Sequence, residues 1–384
     1  MNMFSKPFLL FVCACCAFLA ATEKISAKTG MVFIAARKAI HAADMDMNTG
    51  TLTNLRVAAD IVGPQFIVID PKQRFLFTLT TTTADGVRTG MVSVFSIASK
   101  TGELALLNQQ PTHGAGPTHL DVDNACKTIL VANYGGGSVV AFGVDKDGAL
   151  ATASSFIQHE GSGPNAQRQQ APHAHCINID PANRFALSCD LGADKVFVYK
   201  LDSAKSTLAP NDPLFASLKP GAGPRHLAFH PSGRFVYVIN ELDSTMTGFG
   251  YDAKQGVLKE IEAVSTLPTD FTVRNFPAEV AVHPDGKYLY GSNRGHDSIV
   301  VFGINKKTGR LVPIQHQSTG GKTPRHFEIE PTGKFLLAAN QESGSIVVFR
   351  IDSATGRLSS TRSALEIEGP SCIKWFLPTA ASNR

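Results

Sequence analysis

A short phrase, roughly x-Gly-x-Leu, recurs seven times in this chain and closes at Leu52, Leu104, Leu150, Leu208, Leu258, Leu311 and Leu358. Successive copies lie 52, 46, 58, 50, 53 and 47 residues apart. Self-similarity at such a period marks a repeat architecture, in which no single copy can bury its apolar face alone. The 384 residues are therefore read as one large repeat fold without a second domain.

The copy at residues 223–258 shows what one repeat is. Leu227 and Phe229, then Phe235, Tyr237 and Ile239, alternate with other residues at strand periodicity. Between them, His230-Pro231-Ser232-Gly233 is turn chemistry, with Pro pre-setting one dihedral and Gly tolerating a tight bend. A third strand follows over Thr245 to Tyr251, and the turn at Gly256 leads into a fourth from Leu258 to Val264. Other copies repeat the turn as Asp70-Pro71, Asp180-Pro181, His283-Pro284 and Glu330-Pro331. Four-stranded antiparallel units repeated radially are the blades of a β-propeller. The predicted fold is all-β with seven blades. One blade is split: MVFIAARKAIHAADMD near the N-terminus lacks a first strand, and GPSCIKWFL at 369–377 supplies it, closing the ring. A single tryptophan, Trp375, and the absence of any Trp-Asp pair exclude tryptophan-docked and WD40 propellers.

Composition narrows the function classes. Charged residues are 18% of the chain and the net charge is only +4, with no basic run, so neither a nucleic acid nor a membrane surface is an expected partner. Lys6 followed by the apolar run Phe8 to Ala21 reads as a secretory signal peptide over residues 1–27, with cleavage after Ala21 or Ala27. The propeller then occupies 28–384 as a soluble monomer, periplasmic or secreted. Four cysteines remain beyond the signal: Cys126, Cys176, Cys189 and Cys372. Cys176 and Cys189 flank a hairpin turn and can face each other as a disulfide, but four small buried apolar residues is the favoured reading.

Chemistry is sought where the repeats stop being equivalent. Counting back from each turn proline, the start of the innermost strand holds Gln65, Thr118, His175, Arg225, Ala278, Arg325 and, in the closing strand, Ser371. The next slot holds Phe66, His119, Cys176, His226, Glu279, His326 and Cys372. Second strands end on Asn133, Asn240, Asn293 and Asn340, read as amides that tie off backbone. The slot after them varies: Thr81, Tyr134, Leu191, Glu241, Arg294 and Gln341. A hairpin returns the chain, so both variable slots converge on one mouth of the central channel. His175, Arg225, Glu241 and Arg294 are the expected catalytic group, with Tyr134, His173, Glu279, Arg325 and Gln341 as substrate contacts. Guanidiniums fix a carboxylate or phosphate and stabilise charge on a carbonyl oxygen. A carboxylate or imidazole can move a proton. His173 and His175 have metal-ligand spacing, but no third ligand is evident, so no metal or organic cofactor is expected.

PHAHCINIDPANRFALSCDLGADKV, GPRHLAFHPSGRFVYVINEL, FPAEVAVHPDGKYLYGSNRGHDSIVVF and TPRHFEIEPTGKFLLAAN resemble the seven-bladed β-propeller lactonase family, which includes propeller-type 6-phosphogluconolactonases and 3-carboxy-cis,cis-muconate cyclases. The resemblance spans residues 31 to 377. It implies cofactor-free lactone chemistry carried by one His, one Glu and two Arg, which by motif fall on His175, Glu241, Arg225 and Arg294. The leading expectation is an exported, metal-independent lactonase acting on a sugar-acid or related anionic lactone. The alternatives are a lactonising cyclase of the carboxymuconate kind and a non-catalytic binding propeller. Against the last stands the asymmetry of the slots: His, Arg, Glu and Arg occupy non-equivalent positions around the ring.

Overall fold

The structure is a computed structural model that describes residues 1, 29–84 and 87–378. The expected signal segment, apart from Met1, lies outside the described residues. The rest forms seven four-stranded antiparallel sheets arranged as a ring, with no helix among the described residues. We number the blades by their innermost strands. These are Ile67–Ile69, Pro117–Val122, Ala174–Ile179, Pro224–Phe229, Phe276–Val282, Pro324–Ile329 and Cys372–Phe376. Blade 7 is the split one. Cys372–Phe376 pairs antiparallel with Thr29–Ala35, Met31 opposite Phe376 and Ala35 opposite Cys372, and the two chain ends close the ring as the sequence predicts.

The turn between the first two strands of a blade is held in one of two ways. Where the residue before proline is acidic, its carboxylate accepts backbone N–H groups across the turn: Asp70 from Phe75 at 2.8 Å, Asp180 from Phe185 at 2.9 Å, Glu330 from Lys334 at 2.6 Å. Where it is His, the ring reaches the next blade instead. His230 Nε2 donates to Gly286 O at 2.8 Å and His283 Nε2 to Gly333 O at 2.9 Å. Both devices satisfy buried polar groups that would otherwise cost free energy.

The x-Gly-x-Leu phrase marks where blades touch. Each glycine closes the turn between third and fourth strands with positive φ, for example +69° at Gly256. It also lies against a bulky residue at or near the start of the second strand of the preceding blade. An added Cβ would stand 2.6 Å from Phe185 at Gly256, 2.6 Å from Phe235 at Gly309, 2.4 Å from Tyr288 at Gly356 and 2.2 Å from Phe75 at Gly148. Blade 3 breaks the phrase with Ser206, which also has positive φ, at +55°. Its partner position on blade 2 is Thr128 rather than an aromatic, and Thr128 Oγ1 donates to Ser206 Oγ at 3.0 Å. Both members of the contact have changed together, exchanging ring-on-backbone packing for a buried hydroxyl pair.

The apolar cores lie between neighbouring blades. Val32, Ile34 and Trp375 of blade 7, for instance, pack against Phe335, Leu337 and Val348 of blade 6. Cys176 and Cys189 face each other directly across blade 3, fully buried, and both thiols are free.

Gly256→Ala should be destabilised by about 2–4 kcal/mol, since left-handed strain and overpacking against Phe185 add. Gly233→Ala has similar φ, +67°, but nothing within 4 Å of the new methyl. It should lose only about 1–2 kcal/mol. Denaturant unfolding of the two variants checks this; equal losses would remove the blade contact from the explanation.

Candidate active site

The strand-end asparagines prove to be scaffolding. Asn133, Asn240, Asn293 and Asn340 are fully buried, and their amides bond Ser138, Thr245, Ser298 and Ser345 at the start of the third strand. They fix where the following residue projects, and in blades 4 and 5 that residue is charged.

Glu241, one residue past the end of blade 4's second strand, is the centre of the channel mouth. It is only 4% exposed. Its Oε2 accepts from Arg225 Nε at 3.1 Å and Arg294 Nη2 at 2.6 Å, and its Oε1 accepts from Arg168 Nη2 at 2.6 Å. Arg225, 2% exposed, also donates to Ala278 O at 2.7 Å, and Arg294 to Phe276 O at 2.9 Å. Burial alone would push the Glu241 carboxyl up, but the three guanidiniums outweigh it and hold it down at about 2. Burial, reinforced by Arg294 and Arg325, brings Arg225 down to about 9, against the pull of Glu241 and Glu279.

Three of the four expected catalytic residues thus meet at one carboxylate, and His175 stands beside them. It is 6% exposed, packs edge-on to Tyr134 and His226 with ring centroids 5.3 and 5.1 Å away, and its buried Nδ1 has no hydrogen-bond partner. Burial, then the charges of Arg225 and its neighbours, hold its pKa well below 6.5, so the ring is neutral at pH 7. Tyr134 accepts from Arg168 Nη2 at its hydroxyl, 3.1 Å away. His173 stacks on the Tyr134 ring at 4.6 Å and bonds Tyr134 O through Nδ1 at 2.9 Å. Among the described residues no three His, Cys, Asp or Glu side chains gather in a way that could hold a metal.

Arg168 was missed by the slot comparison because it belongs to no repeat position. It sits on the loop between blades 2 and 3, within the longest gap between copies, the 58 residues from Leu150 to Leu208. That extra length was the available signal, since insertions on a rigid scaffold often carry function. The loop and the segment 266–276 enclose a hollow of about 380 Å3 lined by Arg168, Phe271, Arg274 and Phe276, which opens at the rim.

Glu279 lies deeper. It accepts from His226 Nδ1 at 3.1 Å and stands 3.5 Å from His326 Nε2. With Phe66 and His119 these rings form a plug across the channel: Phe66 to His119 4.4 Å, His119 to His226 5.0 Å, Phe66 to His326 5.6 Å. The space left there is about 10 Å3, so the channel is closed below the mouth. Arg325 and Gln341 lie on the other side of the mouth, around a cavity of about 210 Å3.

Comparison with known proteins agrees with the seven-bladed fold. Residues 26–375 match the family described as Lactonase, 7-bladed beta-propeller. The chain is 36% identical over 288 residues to 6-phosphogluconolactonase of Bacillus subtilis, covering 75% of this chain and 80% of the relative. It is 33% identical over 292 residues to 6-phosphogluconolactonase of Formosa agariphila, covering 75% and 81%. The solved periplasmic gluconolactonase of Pseudomonas aeruginosa superimposes with a TM-score of 0.86 at 28% identity, over 91% of this chain and all of that one.

The depressed pKa of Glu241 has a consequence for stability. Its ordinary value is 4.5 and its folded value about 2. The ionised carboxylate therefore contributes on the order of 3 kcal/mol above pH 4.5, lost as pH falls from there towards 2. Glu241→Gln should unfold at lower temperature than the wild type at pH 7, and the gap should narrow steadily on acidification below about pH 4.5. Thermal unfolding across pH measures it; a gap independent of pH would mean that the charge does not matter.

Proposed function

Since the chain belongs to the seven-bladed β-propeller lactonase family, we propose that it hydrolyses the lactone of a sugar acid or a related anionic lactone at the Glu241 mouth. The observation that carries this reading is the clamped carboxylate beside a neutral, unpartnered imidazole. A scaffold propeller gains nothing from burying one acid and three guanidiniums, because desolvating such a cluster is costly.

In the proposed reaction water attacks the ring carbonyl carbon, a tetrahedral oxyanion forms, and the bond to the ring oxygen breaks. The products are a hydroxyl and a carboxylic acid, which ionises to the carboxylate and releases the second proton of water to solvent. Arg225 and Arg294 face the developing oxyanion, where preorganised cations in a dry site are worth most. His175 takes the proton from water and returns it to the leaving ring oxygen. Glu241 is too weak a base for that task, with its pKa near 2 and its oxygens engaged. Its role is to hold the guanidiniums in place and offset their mutual repulsion. Tyr134 and His173 wall the side nearest His175. The steps need no metal or organic cofactor.

The apolar run Phe8–Ala21 and the periplasmic character of the Pseudomonas aeruginosa protein support export as part of the reading. An enzyme placed there meets unphosphorylated lactones directly.

Proton release by the purified protein, on gluconolactone, its 6-phosphate and a carboxymuconolactone, tests the reading. His175→Ala should lose 10²–10⁴-fold in kcat, the range for a removed acid–base group. Glu241→Gln and Arg225→Ala should each lose at least about 100-fold, as for a lost oxyanion donor. Because His175 titrates well below 6.5, kcat/KM should stay level from pH 8 to about 6 and fall only at lower pH. Absence of turnover on all three lactones would overturn the proposal.

A further inference from the structure

Three guanidiniums bond the Glu241 carboxylate, and a fourth at the mouth does not. Arg325 occupies the same innermost-strand slot in blade 6 that Arg225 occupies in blade 4. Among the described residues it has neither a hydrogen bond nor an ion pair, although it is half-buried. Burial and the nearby charge of Arg294 bring it down to about 10, against the attraction of Glu241 and Glu279. A cation drawn partly out of water without a partner is costly unless an anion arrives to meet it.

The cavity beside Arg325 is built for such a group. It holds about 210 Å3 and is lined by Arg37, Gln65, Gln341 and Ser371 besides Arg325. At ~30 Å3 per water that is room for about seven waters. No described residue hydrogen-bonds the side-chain amide of Gln65 or Gln341, so both are free to donate. Arg37 is exposed at the rim and stands 3.5 Å from Glu368. Arg325 also lines the narrow space below, together with Arg225, so an anion held there lies next to the Glu241 group.

The location matters as much as the charge. Arg325 and Gln341 come from blade 6, Arg37 and Ser371 from the two chain segments of blade 7, and Gln65 from the start of blade 1. Ser371 Oγ already donates across this seam to Gln65 O at 2.9 Å. The cavity sits on the junction that closes the ring.

We propose that this seam cavity is a second oxyanion subsite. In it Arg325, helped by Gln65 and Gln341, holds a carboxylate or phosphate carried by the substrate away from the lactone bond, and occupancy ties blades 6, 7 and 1 together. The inference rests on the lactonase reading for its substrate and adds a binding step that can be measured without turnover.

Two measurements on the full chain test it. The first is the ratio of kcat/KM for a charged lactone to that for neutral gluconolactone. Arg325→Gln should lower this ratio at least tenfold, mainly through KM, and Arg325→Lys should recover part of it. A fall with gluconolactone 6-phosphate assigns a phosphate to the cavity, and a fall with carboxymuconolactone assigns a carboxylate. An unchanged ratio overturns the proposal. The second is thermal unfolding with added inorganic phosphate or succinate. Either anion should raise the midpoint of the wild type and of His175→Ala, but not of Arg325→Gln. Equal stabilisation of wild type and Arg325→Gln overturns the subsite even if no lactone is turned over. Selective stabilisation without turnover would keep the subsite and sink the lactonase reading.

Discussion

Neighbouring blades are spaced by a contact that repeats around the ring: a turn residue with positive φ set against a residue at or near the start of the previous blade's second strand. Six of these contacts use glycine under a bulky side chain, and the seventh uses Ser206 under Thr128. Because an α-carbon without a side chain can approach a ring so closely, adjacent sheets come near enough to share one apolar layer. That spacing sets the width of the channel. A wider ring would leave Glu241 in blade 4 out of reach of Arg294 in blade 5, and Arg168 could not bridge from the loop before blade 3. The seven blades are therefore held near one diameter by contacts far from the chemistry, and the site inherits its tolerances from them.

Within that frame the mouth is governed by charge. A carboxylate taken out of water is unfavourable, and so is each guanidinium. Grouped, they offset one another, and what remains is a rigid array of donors around an ionised acid. The packed rings of Phe66, His119, His226 and His326 leave only about 10 Å3 of space beneath it. The neutral state of His175 follows from the same surroundings: burial and cations that disfavour an imidazolium leave a lone pair free. In the proposed reaction one electrostatic arrangement would supply both the oxyanion donors and the base, with no change of protonation needed before it begins.

Much of this was legible in the sequence, for a physical reason. Repeats constrain every structural position alike, so a polar residue that breaks the pattern stands out, and Arg225, Glu241 and Arg294 were found that way. Ring closure was legible because GPSCIKWFL has a strand pattern with no partner near it in sequence. Arg168 was not, because a loop outside the repeat has no equivalent positions to compare. The different surroundings of Glu241 and His175 were also hidden. Both are proton-transfer residues by type, and only their surroundings show that one is saturated and the other free. The exchange of Gly and aromatic for Ser206 and Thr128 is visible as a broken phrase, but its meaning needs the neighbouring blade.

The most direct test of the account is a crystal structure of the protein with an aldonate product bound. The new carboxylate should lie against Arg225 and Arg294, with the freed hydroxyl turned toward His175 and Glu241 still clamped. A product bound away from the Glu241 mouth, or a Glu241 released from its arginines to contact the ligand itself, would contradict it.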